Sequence, residues 1–363
     1  MTSVAREYPP LREIASVVHT FAVAPDNQHV VGIDFNGRAV CVWSLESGAE
    51  IRRSVEISTR VGATLLAVTP DGQHVIGKHA FDDDDDINIW ATRGDEPVRV
   101  LRGRTRWIRD VVVTPDSRRM ISGGFDETAR VWSLESDREL LCFREHTTCV
   151  QALAVFQNMA VSGSWDGTIY VWTLDDGRVL QHFDVENQHV MAVTTADDGQ
   201  YVVASYRSFM LDANSVRVWS VAGGHVIRHF AGLEGTVRSL ATLPDGQHIV
   251  GGDDSAIRVW SLDSGAVLHS FSRFTTAVKS VAVSSDGKYI VGKDHDGTLR
   301  VYSPLAPPLQ DALPGLHNEY AALKRVADEI DDTDSLVSLM LRGVLMQDTA
   351  LRVRIVEKKL AAL

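Results

Sequence analysis

The sequence predicts an all-β chain of seven like units followed by a small α-helical extension, and three observations support this. First, an aromatic residue closes a short apolar strand at Trp43, Trp90, Trp132, Trp172, Trp219, Trp260 and Tyr302, at spacings of 40 to 47 residues. Second, each unit keeps one internal order: apolar strand, tight turn, apolar strand, a second turn, then the strand ending in the aromatic. Third, the period changes after Tyr302, where a proline-rich stretch gives way to helical spacing.

The turns carry the chemistry that strand reversal needs. The first turn reads APDNQ at Pro25, TPDGQ at Pro70, TPDSR at Pro115, LPDGQ at Pro244 and SSDGK at Asp286. Proline fixes φ at one turn position, and Asp or Gly tolerates the next. The second turn places Asp six residues before the aromatic at Asp84, Asp126, Asp166, Asp254 and Asp296, whereas the other two units have Gly37 and Ala213 there. In the strands that follow, Val40/Val42, Ile87/Ile89, Ile169/Val171, Val216/Val218 and Ile257/Val259 share one face by the period-two rule, and Cys41, Asn88, Tyr170, Arg217 and Arg258 lie between them. Beyond the last unit, residues 306–316 read as a proline-rich linker. The stretch 317–363 reads as helices, with NEYAALKRVADEI as the first.

Units of this length and order resemble WD40 repeats, the blades of a β-propeller, over roughly residues 9 to 305. The resemblance implies a seven-bladed propeller spanning residues 1–305. It also implies that the stretch at residues 9–16, PPLREIAS, supplies the missing outer strand of the last blade. The dipeptide that names the family is WS, WA or WT here. The His, Ser, Asp and Trp set that braces a family blade is complete only in the fourth unit, as His146, Ser162, Asp166 and Trp172, which leaves the other blades to apolar stacking.

Composition narrows the function. With 36 basic and 48 acidic residues, the formal charge of −12 opposes nucleic acid and anionic membranes and favours basic partners or partners not chosen by charge. Cys41, Cys142 and Cys149 are too few and scattered for a disulfide framework or a zinc site. No signal-peptide core or apolar run of membrane length occurs, so a cytoplasmic protein is expected. Nucleophile-elbow, P-loop and zinc-protease motifs are absent, and His29, His74 and His248 recur at one repeat position that blades keep apart. No catalytic, cofactor or metal residues are assigned.

Candidate binding residues come from the second turn and from the turn joining one repeat to the next, which in the family lie on the face where partners usually bind. Phe125, Trp165 and His295 directly precede the repeat Asp, while Trp107 with Arg104 and Arg106 leads into the third unit. Aromatic and arginine side chains dominate interface hot spots; the other reading of Trp107, Phe125 and Trp165 is that one or two of these rings tuck between blades. The acidic run Asp82, Asp83, Asp84, Asp85 and Asp86 lengthens the second unit's turn, and three readings stand for it: a solvated loop, a contact for a basic partner, or a cation site. In the fifth unit's long turn, Phe209, Met210 and Leu211 read either as packed inward or as interaction surface.

The expectation is therefore a non-catalytic protein–protein interaction scaffold or adaptor subunit binding proteins through the propeller face; for the helices of residues 317–363 two readings stand, packing on the propeller or on each other, or docking a partner helix. A regulatory or sensor subunit of a signalling or defence switch is the alternative, and a propeller-type enzyme ranks below both.

Overall fold

The structure, a computed structural model, describes residues 6–7 and 10–304 apart from 35–38, 54–62, 80–85, 92–96, 104–106, 186–187, 197, 208–214, 231–232, 234 and 273. The described residues form an all-β, seven-bladed propeller. The extension expected at 317–363 lies outside them.

Each blade is an antiparallel meander. Blade four shows the plan: Val150–Phe156 is the inner strand, followed outward by Met159–Ser164, Thr168–Thr173 and Val179–Asp184. Blades two, three, five and six repeat this order. Blades one and seven are joined into a single sheet by the twelve-residue strand Arg12–Val23. Its first half pairs with Thr298–Tyr302, in the register Arg12↔Val301 to Val17↔Thr298, and its second half opens blade one against His29–Asp34. Arg6–Glu7 adds a short parallel strand to the outer edge of blade six.

The repeated turn is left-handed at one position, where Gly72, Gly246, Gly287, Asn27 and Ser117 have φ between 57° and 71°. Glycine adopts that conformation freely, and asparagine and serine occupy it at modest cost. Asp71, Asp116, Asp245 and Asp286 each accept an N–H from two residues on, an Asx turn that fixes the reversal.

Packing between blades explains the spacing of the aromatics. Trp132 sits among Ile76, Ile89 and Met120, and Trp172 among Ile121, Val131 and Ala160, so each indole fills the seam with the preceding blade. The partner ring comes from that blade's outer strand: Phe143 stacks on Trp172 at 4.5 Å and Phe230 on Trp260 at 5.3 Å. Trp43 performs the same role at the closing seam, in a cluster with Ile14, Val291, Leu299 and Val301. Glycine appears where the next inner strand approaches most closely: a Cβ on Gly163 would come within 2.5 Å of Val190.

Apolar stacking is not the whole of the bracing outside blade four. An arginine stands two residues before the aromatic in blades three, five, six and seven, and in blades three, six and seven it meets an aspartate. Arg130 is 3.2 Å from Asp126, Arg258 pairs with Asp253, and Arg300 is 2.9 Å from Asp294. Asp253 and Asp294 are fully buried. These positions alternate with the apolar pair of the strand and share a face with the buried aromatic two residues on, so each ion pair lies on the same face as Trp132, Trp260 or Tyr302.

Candidate functional site

In SGSWDG, residues 162–167, every position has a distinct task. Trp172 Nε1 donates to Ser162 Oγ at 3.1 Å, and His146 Nε2 lies 2.7 Å from the same oxygen. His146 Nδ1 is 2.7 Å from Thr168 Oγ1, which donates to Asp166 Oδ1 at 2.6 Å. Because Thr168 spends its proton on the carboxylate, it must accept from His146 Nδ1–H, leaving Nε2 to accept from Ser162. His146, Ser162, Asp166 and Trp172 are thus connected, but through Thr168: His146 and Asp166 stand 3.8 Å apart. Gly167 takes φ +87° to finish the turn.

Burial alone would raise the Asp166 carboxyl. The His146 ring, the Thr168 hydroxyl and the amides of Thr147 and Thr168 outweigh it and hold the group well below the usual carboxylate range. A group depressed in the folded state stabilises the protein above its unfolded value, here 3.8, and loses that contribution as the pH falls. Asp166→Asn is therefore expected to cost about 2 kcal/mol at pH 7. Urea midpoints measured at descending pH should show the gap from wild type narrowing below pH 3.8; a gap independent of pH would assign the loss to geometry instead of charge.

The residue before the turn aspartate is fixed to the propeller face by its backbone. Phe125 N–H donates to the Trp107 carbonyl at 2.9 Å, Trp165 N–H to Cys149 at 3.1 Å, and His295 N–H to Ala277 at 3.0 Å. Each bond ties the turn to the segment entering the same blade, which presents these side chains at one end of the ring.

Three of these side chains touch in series. Trp107 and Phe125 meet edge to face with centroids 6.1 Å apart, Phe125 and Trp165 do so at 5.3 Å, and Trp165 continues to His189 at 5.9 Å. The arc spans blades three to five. Trp107 is 67% exposed, while Phe125 and Trp165 are half-buried. The Arg109 guanidinium lies 5.8 Å from the Phe125 ring and 5.7 Å from Trp165, and its Nε donates to Gln151 at 3.0 Å. Burial, and then the charge of Arg207, hold His189 below its ordinary range, so it joins the arc as a neutral ring at pH 7. Edge-to-face pairs contribute roughly 0.5–1.5 kcal/mol each, enough to hold these rings in place before any partner arrives.

Other sequence candidates lie elsewhere. His295 is exposed in the corresponding turn of blade seven. Asp86 ends the acidic run and lies 3.4 Å from Arg102. Asp82, Asp83, Asp84, Asp85, Arg104, Arg106, Phe209, Met210 and Leu211 fall outside the described residues.

Arg109 was not among the sequence candidates, nor were Arg238 and Lys279, which line the same channel mouth. A cavity of about 340 Å³ opens there, bounded by the inner strands of blades three to seven. Each of these three residues follows a buried Ile or Val at the entry to its inner strand (Ile108, Val237 and Val278), a register legible in the sequence once the repeats are aligned.

The family model described as "WD domain, G-beta repeat" matches residues 95–133, 138–173, 224–261 and 265–303, covering blades three, four, six and seven. Nuclear distribution protein PAC1 of Yarrowia lipolytica is 44% identical over 52 residues, which are 14% of this chain and 12% of that protein. Nuclear distribution protein nudF 2 of Talaromyces marneffei is 34% identical over 58 residues, 16% of this chain and 13% of that one. Protein groucho of Drosophila melanogaster is 24% identical over 123 residues, 34% of this chain and 16% of that protein. The matched stretches thus span less than a fifth of each of these relatives' lengths.

Proposed function

We propose that this chain, a WD40-repeat protein folded as a seven-bladed β-propeller, is a non-catalytic scaffold that binds partner proteins through the face carrying Trp107, Phe125 and Trp165. The observation that carries this reading is the arc itself. A turn built only for reversal needs small polar residues, yet two adjacent blades place large rings there, preorganised edge to face with an arginine over them. The polar groups of the same turns are already engaged in bracing: Asp166 accepts from Thr147 and Thr168, and Asp126 lies beside Arg130.

The sequence similarity to PAC1, nudF 2 and groucho supports a protein partner in general terms and names none. A cytoplasmic setting rests on the sequence, and among the described residues no helix is long and apolar enough to cross a membrane. Residues 317–363 add a second candidate docking element on sequence grounds alone.

Trp107→Ala combined with Trp165→Ala tests the proposal. An interface anchor of about 2 kcal/mol corresponds to roughly a thirtyfold loss of affinity. Affinity purification from the native host with mass spectrometry should therefore lose the principal partner while the melting temperature stays within a few degrees. Normal recovery by a folded double mutant would move the interface to another face. Unfolding would make the rings part of the core.

A further inference from the structure

We propose that the channel mouth beside the aromatic arc receives an acidic side chain from a peptide segment of the partner, while the arc holds an apolar residue next to it. The proposal rests on the scaffold reading above and specifies the chemistry of what binds.

Five inner strands present equivalent residues around the mouth: Arg109, Gln151, Met191, Arg238 and Lys279. Three of the five are cationic. The mouth and the arc share one face, because Arg109 lies over both Phe125 and Trp165 and Arg238 pairs with Asp254 in the corresponding turn of blade six. A cavity of about 340 Å³ is near the lower end of ligand sites, which run from roughly 300 to 1,000 Å³, and suits an inserted side chain better than a large cofactor.

The positive charge is only partly offset locally: Arg238 pairs with Asp254, while Arg109 and Lys279 keep theirs facing the cavity. Burial, and then Arg238, hold the Lys279 ammonium below the usual lysine range against the opposing pull of Asp254; burial does the same for Lys293 nearby, with Lys279 adding to it against Asp294. Cations held in this state gain from an incoming anion. Two carboxylates lie close by, and both are engaged. Asp254 accepts from Arg238 and, at 3.3 Å, from the Thr236 amide. Asp110 accepts the amides of Leu153 at 2.7 Å and Val111 at 2.9 Å, and burial pushes its carboxyl up to about 7, so it carries only part of a charge at neutral pH.

The formal charge of −12 favours basic partners, and the channel mouth runs against it. Distance decides which prevails. At physiological salt, exposed charges are screened beyond about 8 Å, whereas groups lining a cavity are screened much less. A free anion would use the cations alone; a peptide also covers the adjoining rings.

A positional-scanning library of fluorescent octapeptides, measured by anisotropy against the full chain, tests this. The wild type should select Asp or Glu at one position beside an aromatic or aliphatic one, with binding that weakens as salt rises. Lys279→Gln should weaken the selected peptide about tenfold and leave its Glu→Gln counterpart unchanged, while Trp107→Ala weakens both. Arg238→Gln provides a second test of the charge, and melting curves confirm that each variant is folded. Selection of Lys or Arg, no selection at the charged position, or equal binding by Lys279→Gln and Arg238→Gln would overturn the proposal. So would binding of inorganic phosphate as tight as that of the peptide, which would mark a small-anion site. If Trp107→Ala loses binding without any acidic preference, the arc remains the interface and the channel assignment fails. If no variant changes peptide binding, both fail.

Discussion

Deletion of residues 1–17 is expected to lower the melting temperature by on the order of 10 °C. The segment supplies the outer strand of blade seven, and its loss strips partners from Leu299, Arg300 and Val301 and leaves Thr298–Tyr302 as an open edge. Ile14, 1% exposed, leaves the closing cluster with Trp43, Leu299 and Val301. Burying such a side chain contributes roughly 1.5–3 kcal/mol, and each lost ladder bond removes about 1 kcal/mol more. At roughly 2–4 °C per kcal/mol for a chain of this order, the sum reaches the stated shift. Deleting residues 1–7 alone is the control, since among the described residues it removes the two-residue strand on blade six and leaves Arg12–Val23 in place. Calorimetry of the three proteins decides the matter, and equal melting temperatures would show that the closing strand adds nothing.

Asp294→Ala is expected to cost about 3–5 kcal/mol, because it strands a buried guanidinium. Arg300 is 6% exposed and Asp294 fully buried, and the pair stands 2.9 Å apart. Asp294 also accepts the Thr298 amide at 2.9 Å, so the same change opens the turn. Glu13, 3.5 Å from the guanidinium but half exposed, compensates little. Arg300→Met in the Asp294→Ala background should recover part of the loss, since an apolar side chain in that seam needs no counter-charge. Urea titrations of the two single variants and the double variant measure the coupling. If the double variant is less stable than Asp294→Ala, packing by the arginine stem matters more than its charge.

The repeat was legible because its punctuation is local. Trp172 and its counterparts, the Asp-containing first turns and the Asp that precedes the third strand in five units all act within one unit, so the seven copies align and imply the ring. The Trp107, Phe125 and Trp165 positions could be placed on one face for the same reason. Their contact in series could not, because it depends on how far blade three stands from blade four. The Arg–Asp pairs were not legible: alternation puts Arg258 and Arg300 on the face of the buried Trp260 and Tyr302, but which carboxylate meets each guanidinium depends on how the preceding turn folds back on the strand. Arg109, Arg238 and Lys279 were hidden because their meaning lies in convergence: each follows a buried residue at the entry to a different inner strand, and only the ring makes them neighbours around a single cavity.

The shared strand Arg12–Val23 also sets an order of events during synthesis. Its first half finds its partner only when the segment around Arg300 exists, 287 residues after Glu13. At about 5–20 residues per second, that wait lasts roughly 15 to 60 s. Blades two to six can each be completed from contiguous chain as it emerges, whereas the start of the chain must keep an unpaired apolar edge, Ile14 included, throughout that interval. A nascent chain stalled before Thr298 is therefore an open crescent carrying a free strand at its leading end, the species most exposed to pairing with a neighbouring copy on the same message. The final blade converts that crescent into a ring in one step.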